Sequence, residues 1–276
     1  MELDRIGIPA RLLRGEKGAR IPIVHWADGL AALNKPEGVA SRNDPWHGGV
    51  ADLDSAFNEQ IHENKPELAA HGITQFSSIN PLEPEATGAV LSSLTHEARA
   101  AWKNEYGSFQ FGFHFLIVCE KSDASGSVVE CRLPINRHFK KRRMIISHQQ
   151  GKKSYSRFEN LARARSAEVW LGSTRFPRLH QMRLHACESG IPVLDDPIYV
   201  AERPNARSSS ETGGSGSPWI HSYAIRADSL PGLTPRRIAF EPPRHWKRYL
   251  RRHGIELAEI LSAAEQIIEN RTLPIE

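Results

Sequence analysis

Residues 109–119 read Phe-Gln-Phe-Gly-Phe-His-Phe-Leu-Ile-Val-Cys, and this run decides which kind of fold the chain can adopt. Aromatic residues alternate along its first half and the second half is continuously apolar, which is typical of a strand buried on both faces. A polar turn at 122–127 separates it from a second strand-like run at 128–135. Two consecutive strands joined by a polar loop predict an antiparallel sheet in which the second run pairs back on the first.

The segments on either side of this pair predict a mixture of strands and helices. Runs at 21–26 and 30–34 predict a hairpin turning at Asp28-Gly29, and further strands are predicted at 167–171, 219–225 and 238–240. Helical patterns cover 50–70, with an interruption at Pro66, and 88–103, 180–187 and 255–270. The fold class predicted from these elements is α+β.

Composition argues against two classes of protein. No run in the 276 residues approaches the roughly 18 apolar residues of a membrane span. The first 20 residues mix acidic residues with arginines, unlike a signal or transit peptide, so we expect no membrane partner. The three cysteines, at 119, 131 and 187, are odd in number and widely spaced, which favours a reducing, cytoplasmic location. The net charge of +4 is compatible with a nucleic-acid partner and with many proteins that have none.

An acidic loop stands out at residues 79–88, Ile-Asn-Pro-Leu-Glu-Pro-Glu-Ala-Thr-Gly. Two prolines, Pro81 and Pro84, restrict the backbone on either side of Glu83. Thr87 could cap a helix that begins near Gly88. A short rigid loop carrying one acid is how many active sites present a nucleophile or base, although an acid in a proline turn is also common on ordinary surfaces.

Basic residues form further candidate sites. Lys35, in Asn-Lys-Pro-Glu-Gly at 34–38, would sit where a strand exits into a turn, and could hold a phosphate or a carboxylate or simply be solvated. The segment 137–143 contains Arg142 and Arg143, and Phe139 within it and Tyr155 after it are available for stacking. The segment suits either a phosphate backbone or a charged surface hairpin. At 244–253 a basic, aromatic stretch could contact RNA, with packing of its apolar face on the sheet as the favoured role.

The predicted helix at 180–187 places His180, Arg183 and Leu184 on one face. A metal site made of His180, His185 and Cys187 would need ligands from unfavourable offsets, so no metal is expected. We expect instead a polar first turn facing the active site, with Arg183 able to pair bidentately with Glu83. The Ser- and Gly-rich residues 202–218 are predicted to form a flexible loop.

Several short motifs follow one another in an order that resembles the RluA branch of the pseudouridine synthases over about residues 21–250. The sequence at 34–38 is similar to the family's N-K-P-x-G turn, and His221-Ser222 to its late H-A element. The stretches 178–185, 190–193 and 196–199 are similar to R-T-H-Q-I-R-x-H, G-x-P-I and G-D-x-x-Y. The resemblance implies one pseudouridine synthase-like catalytic domain at 21–250, after a lead-in at 1–20 and before a C-terminal helix at 251–276. It also implies a mixed, mostly antiparallel sheet flanked by helices, with a central cleft for a flipped-out uridine, and a monomer that needs no cofactor.

The same resemblance assigns roles to individual residues. Glu83 falls where the family carries its nucleophilic aspartate, Pro81 where it carries a base-displacing arginine, and Asn80 where it carries a histidine. Phe115 replaces the cleft tyrosine. Arg183 is kept in the position that pairs with the catalytic acid. The residues expected to bind substrate or RNA are Lys35, Pro81, Arg178, His180, Gln181, Arg142 and Arg143.

Two functions follow as alternatives. The first is isomerisation of uridine to pseudouridine in ribosomal or transfer RNA, with activity lost or altered by the change to Glu83. The second is a non-catalytic RNA-binding or ribosome-associated factor on the same scaffold. A third idea, that Glu83 and Glu85 form a glycosidase-like pair, would need their carboxyl groups about 5 to 9 Å apart across a sugar cleft.

Overall fold

The computed structural model describes residues 4–13, 17–27, 29–200, 216–227 and 236–274. They separate into two compact units, which we call unit 1 (Met1–Phe111 with Ala224–Glu241) and unit 2 (Gly112–Tyr223 with Pro242–Glu276). No helix within these ranges is long and apolar enough to cross a membrane. The predicted site residues are divided between the units, with Lys35 and Glu83 in unit 1 and Phe115 and Arg183 in unit 2.

The elements are as follows. Up to Gly107 they are β1 (Arg5–Ile8), α1 (Ala10–Leu13), β2 (Ala19–Ala27), β3 (Leu30–Lys35), a 3₁₀ turn (Pro45–His47), α2 (Leu53–His62), α3 (Pro66–Ala69), β4 (Ser77–Ser78), β5 (Thr87–Ser93) and α4 (His96–Gly107). From Phe111 they are β6 (Phe111–Cys119), β7 (Val128–Cys131), β8 (Ile135–His138), β9 (Arg143–Ile146), β10 (Ser156–Arg163), β11 (Glu168–Thr174), α5 (Gln181–Glu188), β12 (Ile220–Ala227), β13 (Arg237–Ala239), α6 (Arg244–Arg252) and α7 (Leu257–Asn270).

Unit 1 is an antiparallel sheet covered by short helices. Its strands β1, β2, β3 and β5 pair in that order, β4 adds to β5, and β1 shows that the lead-in contains a short strand. The core between sheet and helices includes Leu33, Phe57 and Phe76, with the two phenylalanine rings 4.3 Å apart. Burial of each such side chain stabilises the fold by about 1.5–3 kcal/mol. The sheet therefore provides a rigid base for the loops at the ends of β3 and β5.

Unit 2 contains the antiparallel strand order β6, β11, β10, β7, and a separate hairpin of β8 and β9. Helix α5 lies directly on β11, because a Cβ added at Gly172 would be 2.5 Å from Cε of Met182. Phe115 is the β6 partner of Gly172, so its side chain shares the face that α5 covers. This packing fixes α5 relative to Phe115.

The predicted pairing of 128–135 with 109–119 is wrong. Strand β7 pairs with β10, whereas β6 pairs with β11. All nine residues of β6 are buried, as its composition predicts. Strand β7 has four residues and Val128 is 42% exposed, so it suits the edge of a sheet rather than a place beside the most buried strand.

The predicted helix at 88–103 is also wrong in its first half. Thr87 and Gly88 begin strand β5, and the helix that follows, α4, is capped by Thr95, whose Oγ1 accepts from the Ala98 amide at 3.2 Å. Gly88 has φ +105°, outside the helical region. Leu91 pairs with Ala32 and is fully buried, so sheet pairing decides the conformation of this apolar run.

The remaining predicted elements are confirmed with small changes of boundary. Strands β2, β3, β11, β12 and β13 and helices α2, α3, α5 and α7 lie where the patterns indicate, with Pro66 at the start of α3. The segment 137–143 forms the tip of the β8–β9 hairpin, and Arg142 there has φ +46°. A hairpin is compatible with both interpretations of this segment, so its contact with a phosphate backbone stays a prediction. Most of the predicted loop at 202–218 lies outside the described residues.

Candidate active site

The loop that carries Glu83, residues 79–88, is held through its backbone; we call it the Glu83 loop. The amide of Leu82 donates to Ser41 Oγ at 2.9 Å, and the Ser41 amide donates to the Leu82 carbonyl at 3.0 Å. On the other side of Glu83, the Pro84 carbonyl accepts from the Gly38 amide at 2.8 Å. Both neighbours of Glu83 are therefore fixed, which presets the position of its carboxylate.

Asn80 anchors the start of the Glu83 loop to β5. Its Nδ2 donates to the Ala89 carbonyl at 3.1 Å, and its Oδ1 accepts from the Leu91 amide at 2.8 Å. Asn80 is fully buried, and Glu83 is only 7% exposed. The Asn80 side chain thus ties the start of the Glu83 loop to β5.

Ser41 belongs to a buried polar network that the sequence did not predict. Its carbonyl accepts from Ser78 Oγ at 2.9 Å and from the Asp54 amide at 3.2 Å. Asp54 in turn accepts from the amide and the hydroxyl of Ser78, at 2.8 and 2.6 Å. Burial raises the pKa of Asp54 to about 6. The Glu83 loop is thereby connected to the first turn of α2.

Substitution of Ser41 tests how strongly this network holds the Glu83 loop. Ser41→Ala should lower the free energy of unfolding by about 1–3 kcal/mol, because the Leu82 amide would lose its acceptor inside the protein. Ser92→Ala is a matched control, since Ser92 is also fully buried but its Oγ has no hydrogen-bond partner among the described residues. Urea unfolding of both variants is the measurement. Equal losses would contradict the assigned role of Ser41.

Lys35 lies beneath the Glu83 loop and is fully buried. Its Nζ donates to the Val39 carbonyl at 2.6 Å and the Pro36 carbonyl at 2.8 Å, with the Pro84 carbonyl at 3.5 Å. Burial lowers the pKa of Lys35 to about 7, partly opposed by the negative charge of Glu83 and other carboxylates. In this geometry the amine braces the turn and the loop, and its predicted contact with a substrate phosphate stays a prediction.

The lowered pKa of Lys35 predicts a pH-dependent stability. The folded chain releases this proton near pH 7, whereas the unfolded chain keeps it until near the ordinary value of 10.5. Between these values the unfolded state binds more protons, so the free energy of unfolding should rise with pH by up to about 1.4 kcal/mol per unit. Below about pH 7 this contribution should be constant. Denaturant unfolding of wild type and Lys35→Met from pH 7 to 10 measures it, and an unchanged difference between them would refute the assignment.

In unit 2, Arg183 forms a buried ion pair with Asp196. Nε lies 2.7 Å from Oδ2 and Nη2 lies 2.8 Å from Oδ1, and both side chains are fully buried. Asp196 Oδ1 also accepts from the amides of Ile198 and Tyr199 at 2.9 and 3.1 Å. The bidentate edge of Arg183 is therefore used by Asp196, and the predicted pairing with Glu83 would have to use Nη1. That pairing stays a prediction.

The other residues of the first turn of α5 also contact protein groups. Gln181 Nε2 lies 2.9 Å from the Tyr155 carbonyl, and its Oε1 accepts from the Arg178 amide at 3.0 Å. His180, with φ +54°, lies 3.1 Å from the Tyr199 hydroxyl through Nδ1. Arg178 Nη2 donates to the Lys153 carbonyl at 3.3 Å. These contacts fix the start of α5, and the predicted RNA contacts of the three residues stay predictions.

His185 and Cys187, two residues of the metal set weighed from the sequence, contact protein groups. His185 lies 2.9 Å from Ser156 Oγ through Nδ1 and 2.9 Å from the Leu133 carbonyl through Nε2. Burial lowers the pKa of His185 to about 4, so the ring is neutral. Cys187 Sγ lies 3.2 Å from the Tyr199 carbonyl. The side chains of His185 and Cys187 therefore form hydrogen bonds inside the protein.

The remaining predicted residues differ in exposure. Phe115 is buried on the face of the sheet that α5 covers. Pro81 is half-buried, and Arg142 is exposed at the tip of the β8–β9 hairpin. The hairpin is anchored next to Arg143, because the Met144 amide donates to the Tyr199 hydroxyl at 3.0 Å. Tyr199 thus links the hairpin to α5 through His180, a role that the sequence did not reveal.

Comparisons with known proteins agree with the motif order. No family model matches the chain. It is similar to ribosomal large subunit pseudouridine synthase D of Xanthomonas campestris pv. campestris, with 21% identity over 222 residues, which are 80% of this chain and 64% of that protein. It is also similar to the dual-specificity RNA pseudouridine synthase RluA of Pasteurella multocida, with 26% identity over 194 residues, 68% of this chain and 81% of that protein. The chain is therefore similar to pseudouridine synthases of the RluA family.

Solved structures of two pseudouridylate synthase domain proteins show the same fold as this chain. Human RNA Pseudouridylate Synthase Domain Containing 4 has a TM-score of 0.66 and 15% identity, with 85% of this chain and 94% of that chain covered. Human RNA Pseudouridylate Synthase Domain Containing 1 has a TM-score of 0.56 and 18% identity, with 86% and 96% covered. The α+β pseudouridine synthase fold, with its mixed, mostly antiparallel sheet and flanking helices, is therefore confirmed.

The chain spans less than two thirds of the length of the first curated relatives. The match to ribosomal large subunit pseudouridine synthase D of Nitrosomonas europaea has 26% identity over 181 residues. These residues are 64% of this chain and 49% of that protein. For the Xanthomonas protein the covered share is 64%.

Proposed function

We propose that this chain is an RluA-family pseudouridine synthase, which binds RNA and isomerises uridine to pseudouridine with Glu83 as the acid that acts on the target nucleotide. The observation that carries the proposal is the buried carboxylate of Glu83 in a loop fixed on both sides. The sequence resemblance aligns this residue with the family's aspartate. The names of the relatives, which include ribosomal large subunit and dual-specificity RNA synthases, support ribosomal or transfer RNA as the substrate class.

The proposed reaction rearranges one nucleotide without a net change of oxidation state. The bond from N1 to C1′ breaks, the base rotates, and a bond from C5 to C1′ forms. C5 releases its proton to water and N1 takes one up. A carboxylate placed against the sugar or base can start this sequence, and the balance requires no redox cofactor.

The sequence resemblance supplies the proposed roles of the other site residues. We assign to Arg183 the orientation of the Glu83 carboxylate and to Phe115 stacking on the base. Arg178, His180, Gln181, Pro81, Lys35, Arg142 and Arg143 are the proposed substrate- and RNA-binding residues. Glutamate reaches about 1.5 Å further than aspartate, and a misplacement of about 1 Å can cost on the order of 100-fold in rate. The fixed neighbours of Glu83 are what would limit this loss.

A second candidate is an RNA-binding protein without catalysis. Phe115 lacks the hydroxyl of the family's tyrosine, which could relay a proton or donate a hydrogen bond. Pro81 lacks a guanidinium that could contact RNA beside a flipped-out base. These two changes favour binding without turnover, so the same experiment has to separate the two functions.

Tritium release from RNA labelled at C5 of uridine separates them. The substrates are ribosomal and transfer RNA from cells that lack this protein, and Glu83→Gln protein purified in parallel reports contaminating synthases. Release by wild type that is absent with the variant supports the isomerase. No release, together with salt-sensitive RNA binding that persists in the variant, supports the binding protein and contradicts the proposed activity.

We further propose that the protein is cytoplasmic and monomeric. The three cysteines are all buried thiols, which fits a reducing compartment.

A further inference from the structure

Helix α6, Arg244–Arg252, carries five basic residues in nine positions. They are Arg244, Lys247, Arg248, Arg251 and Arg252, and all five are exposed. At about 100° per residue they fall within roughly 140° of the helix circumference, so they form one stripe along the helix. We call this the α6 stripe.

The charges of the α6 stripe are scarcely neutralised by the protein. Across the described ranges, the stripe makes one ion pair, between Arg251 Nε and Glu256 Oε1 at 3.5 Å, and both of these side chains are more than half exposed. Such a pair contributes little to stability. Burial, together with the nearby acids Glu120 and Asp195, raises the pKa of Tyr249 to about 12, and Tyr249 lies outside the stripe on the helix circumference.

Stability of the helix does not explain the whole stripe. Arg251 and Arg252 lie in the last turn, where positive charge complements the helix dipole. Arg244 lies in the first turn, where the same dipole disfavours positive charge. Arg244 and Arg248 are also four residues apart, a spacing at which like charges repel. The first half of the stripe therefore opposes helix formation, which points to a function for its charge.

The opposite face of α6 fixes the direction in which the stripe points. Trp246 and Leu250 are buried, and the Trp246 ring stacks on Trp219 with centroids 5.4 Å apart. At the end of the helix, His253 Nδ1 lies 2.8 Å from Ser166 Oγ in the β10–β11 turn. The exposed Arg165 is the neighbour of Ser166 and continues the positive surface. The stripe is thus presented to solvent by a helix that cannot rotate freely.

We propose that the α6 stripe is a second RNA-binding surface, which contacts the phosphate backbone of the substrate outside the nucleotide that reacts. This rests on the proposed function for the identity of the RNA. Exposed arginines and lysines without acidic partners are the groups that neutralise phosphates and release counterions. A membrane surface is the poorer partner, because an interfacial helix inserts an apolar face and that face of α6 is buried in the protein.

The test removes the three charges that do not favour the helix. The variant is Arg244→Ala, Lys247→Ala and Arg248→Ala, and the matched control is Arg5→Ala, Lys17→Ala and Arg20→Ala, which removes three exposed charges from unit 1. Filter binding of the same RNA from 50 to 300 mM salt gives the slope of log Kd against log salt. We expect this slope to fall by about 2 to 3 in the α6 variant, since each lost phosphate contact removes about 0.7–0.9. The control should stay close to wild type.

Tritium release separates this inference from the proposed function. In an active protein the α6 variant should raise KM by about tenfold or more and leave kcat unchanged. If wild type releases no tritium, the salt slopes still decide the role of the stripe. An unchanged slope in the α6 variant would overturn the inference, as would an equal loss in the control. Loss of binding to anionic lipid vesicles with RNA binding intact would also overturn it and assign the stripe to a lipid surface.

Discussion

Glu83→Gln is expected to reduce tritium release from uridine-labelled RNA by on the order of 10⁴-fold while the protein stays folded. The amide has nearly the shape of the carboxylate but carries no negative charge and cannot attack or accept a proton. The loop should keep its position, because the Leu82 amide and the Pro84 carbonyl hold it through hydrogen bonds that the substitution leaves in place. Initial rates of release and the free energy of unfolding are the two measurements.

Two further variants make the result specific to Glu83. Glu85→Gln removes an acid two residues away in the same turn and should leave the rate within a fewfold of wild type. Glu83→Asp keeps the charge but withdraws it by about 1.5 Å, and should lower the rate on the order of 100-fold if the loop is built around the longer side chain. Equal loss in both glutamine variants would indicate a shared acid pair. Full activity in Glu83→Gln would remove Glu83 from the chemistry.

The acidic loop illustrates what a sequence reveals about a site and what it does not. The prolines around Glu83 mark a rigid turn because their effect on the backbone is local. The groups that hold this turn, Ser41 and Lys35, lie more than 40 residues away and reach it through sheet pairing of β3 with β5. No local pattern encodes such a contact, so the position of the acid was predictable and its support was not.

The same distinction explains the errors in the fold. Strand β6 was predictable because burial on both faces leaves a long apolar run in the sequence. The run that became β5 is short, and a short apolar run does not distinguish a buried strand from a helix. Its pairing with β3 decided the outcome. The partner of β7 was missed for a related reason, since sequence order predicts the neighbour of a strand only as a tendency.

The partner of Arg183 was missed although both residues lie in recognisable motifs. The arginine is in the first turns of α5 and Asp196 is 13 residues later, in the turn that begins Asp-Pro-Ile-Tyr. The spacing gives no sign that the turn folds back onto the helix. The resemblance directed attention to the Glu83 carboxylate, whereas Asp196 uses the two nitrogens best suited to a bidentate contact.

Asp196→Ala is expected to lower the free energy of unfolding by about 3–5 kcal/mol. It would leave the Arg183 guanidinium fully buried without the carboxylate that balances its charge. The amides of Ile198 and Tyr199 would lose their acceptor as well. Urea unfolding measures the loss. Asp195→Ala is the control at the neighbouring position. It removes the acceptor of a hydrogen bond from Trp219 Nε1 at 3.1 Å and places alanine at φ +57°, but it leaves no buried arginine without its carboxylate, so the loss should be smaller, about 1–2 kcal/mol.

A double variant separates the charge from the packing. Replacing a buried ion pair by apolar residues of similar volume is often neutral, so Arg183→Met with Asp196→Leu should recover most of the stability lost in Asp196→Ala. Failure to recover it would mean that packing and the turn amides, and not the isolated charge, dominate the loss. If instead Asp196→Ala costs no more than Asp195→Ala, a second carboxylate must balance Arg183. The pairing that the sequence predicts would make Glu83 that carboxylate. Adding Glu83→Gln to Asp196→Ala should then lower the free energy of unfolding by the roughly 3–5 kcal/mol that Asp196→Ala alone did not cost.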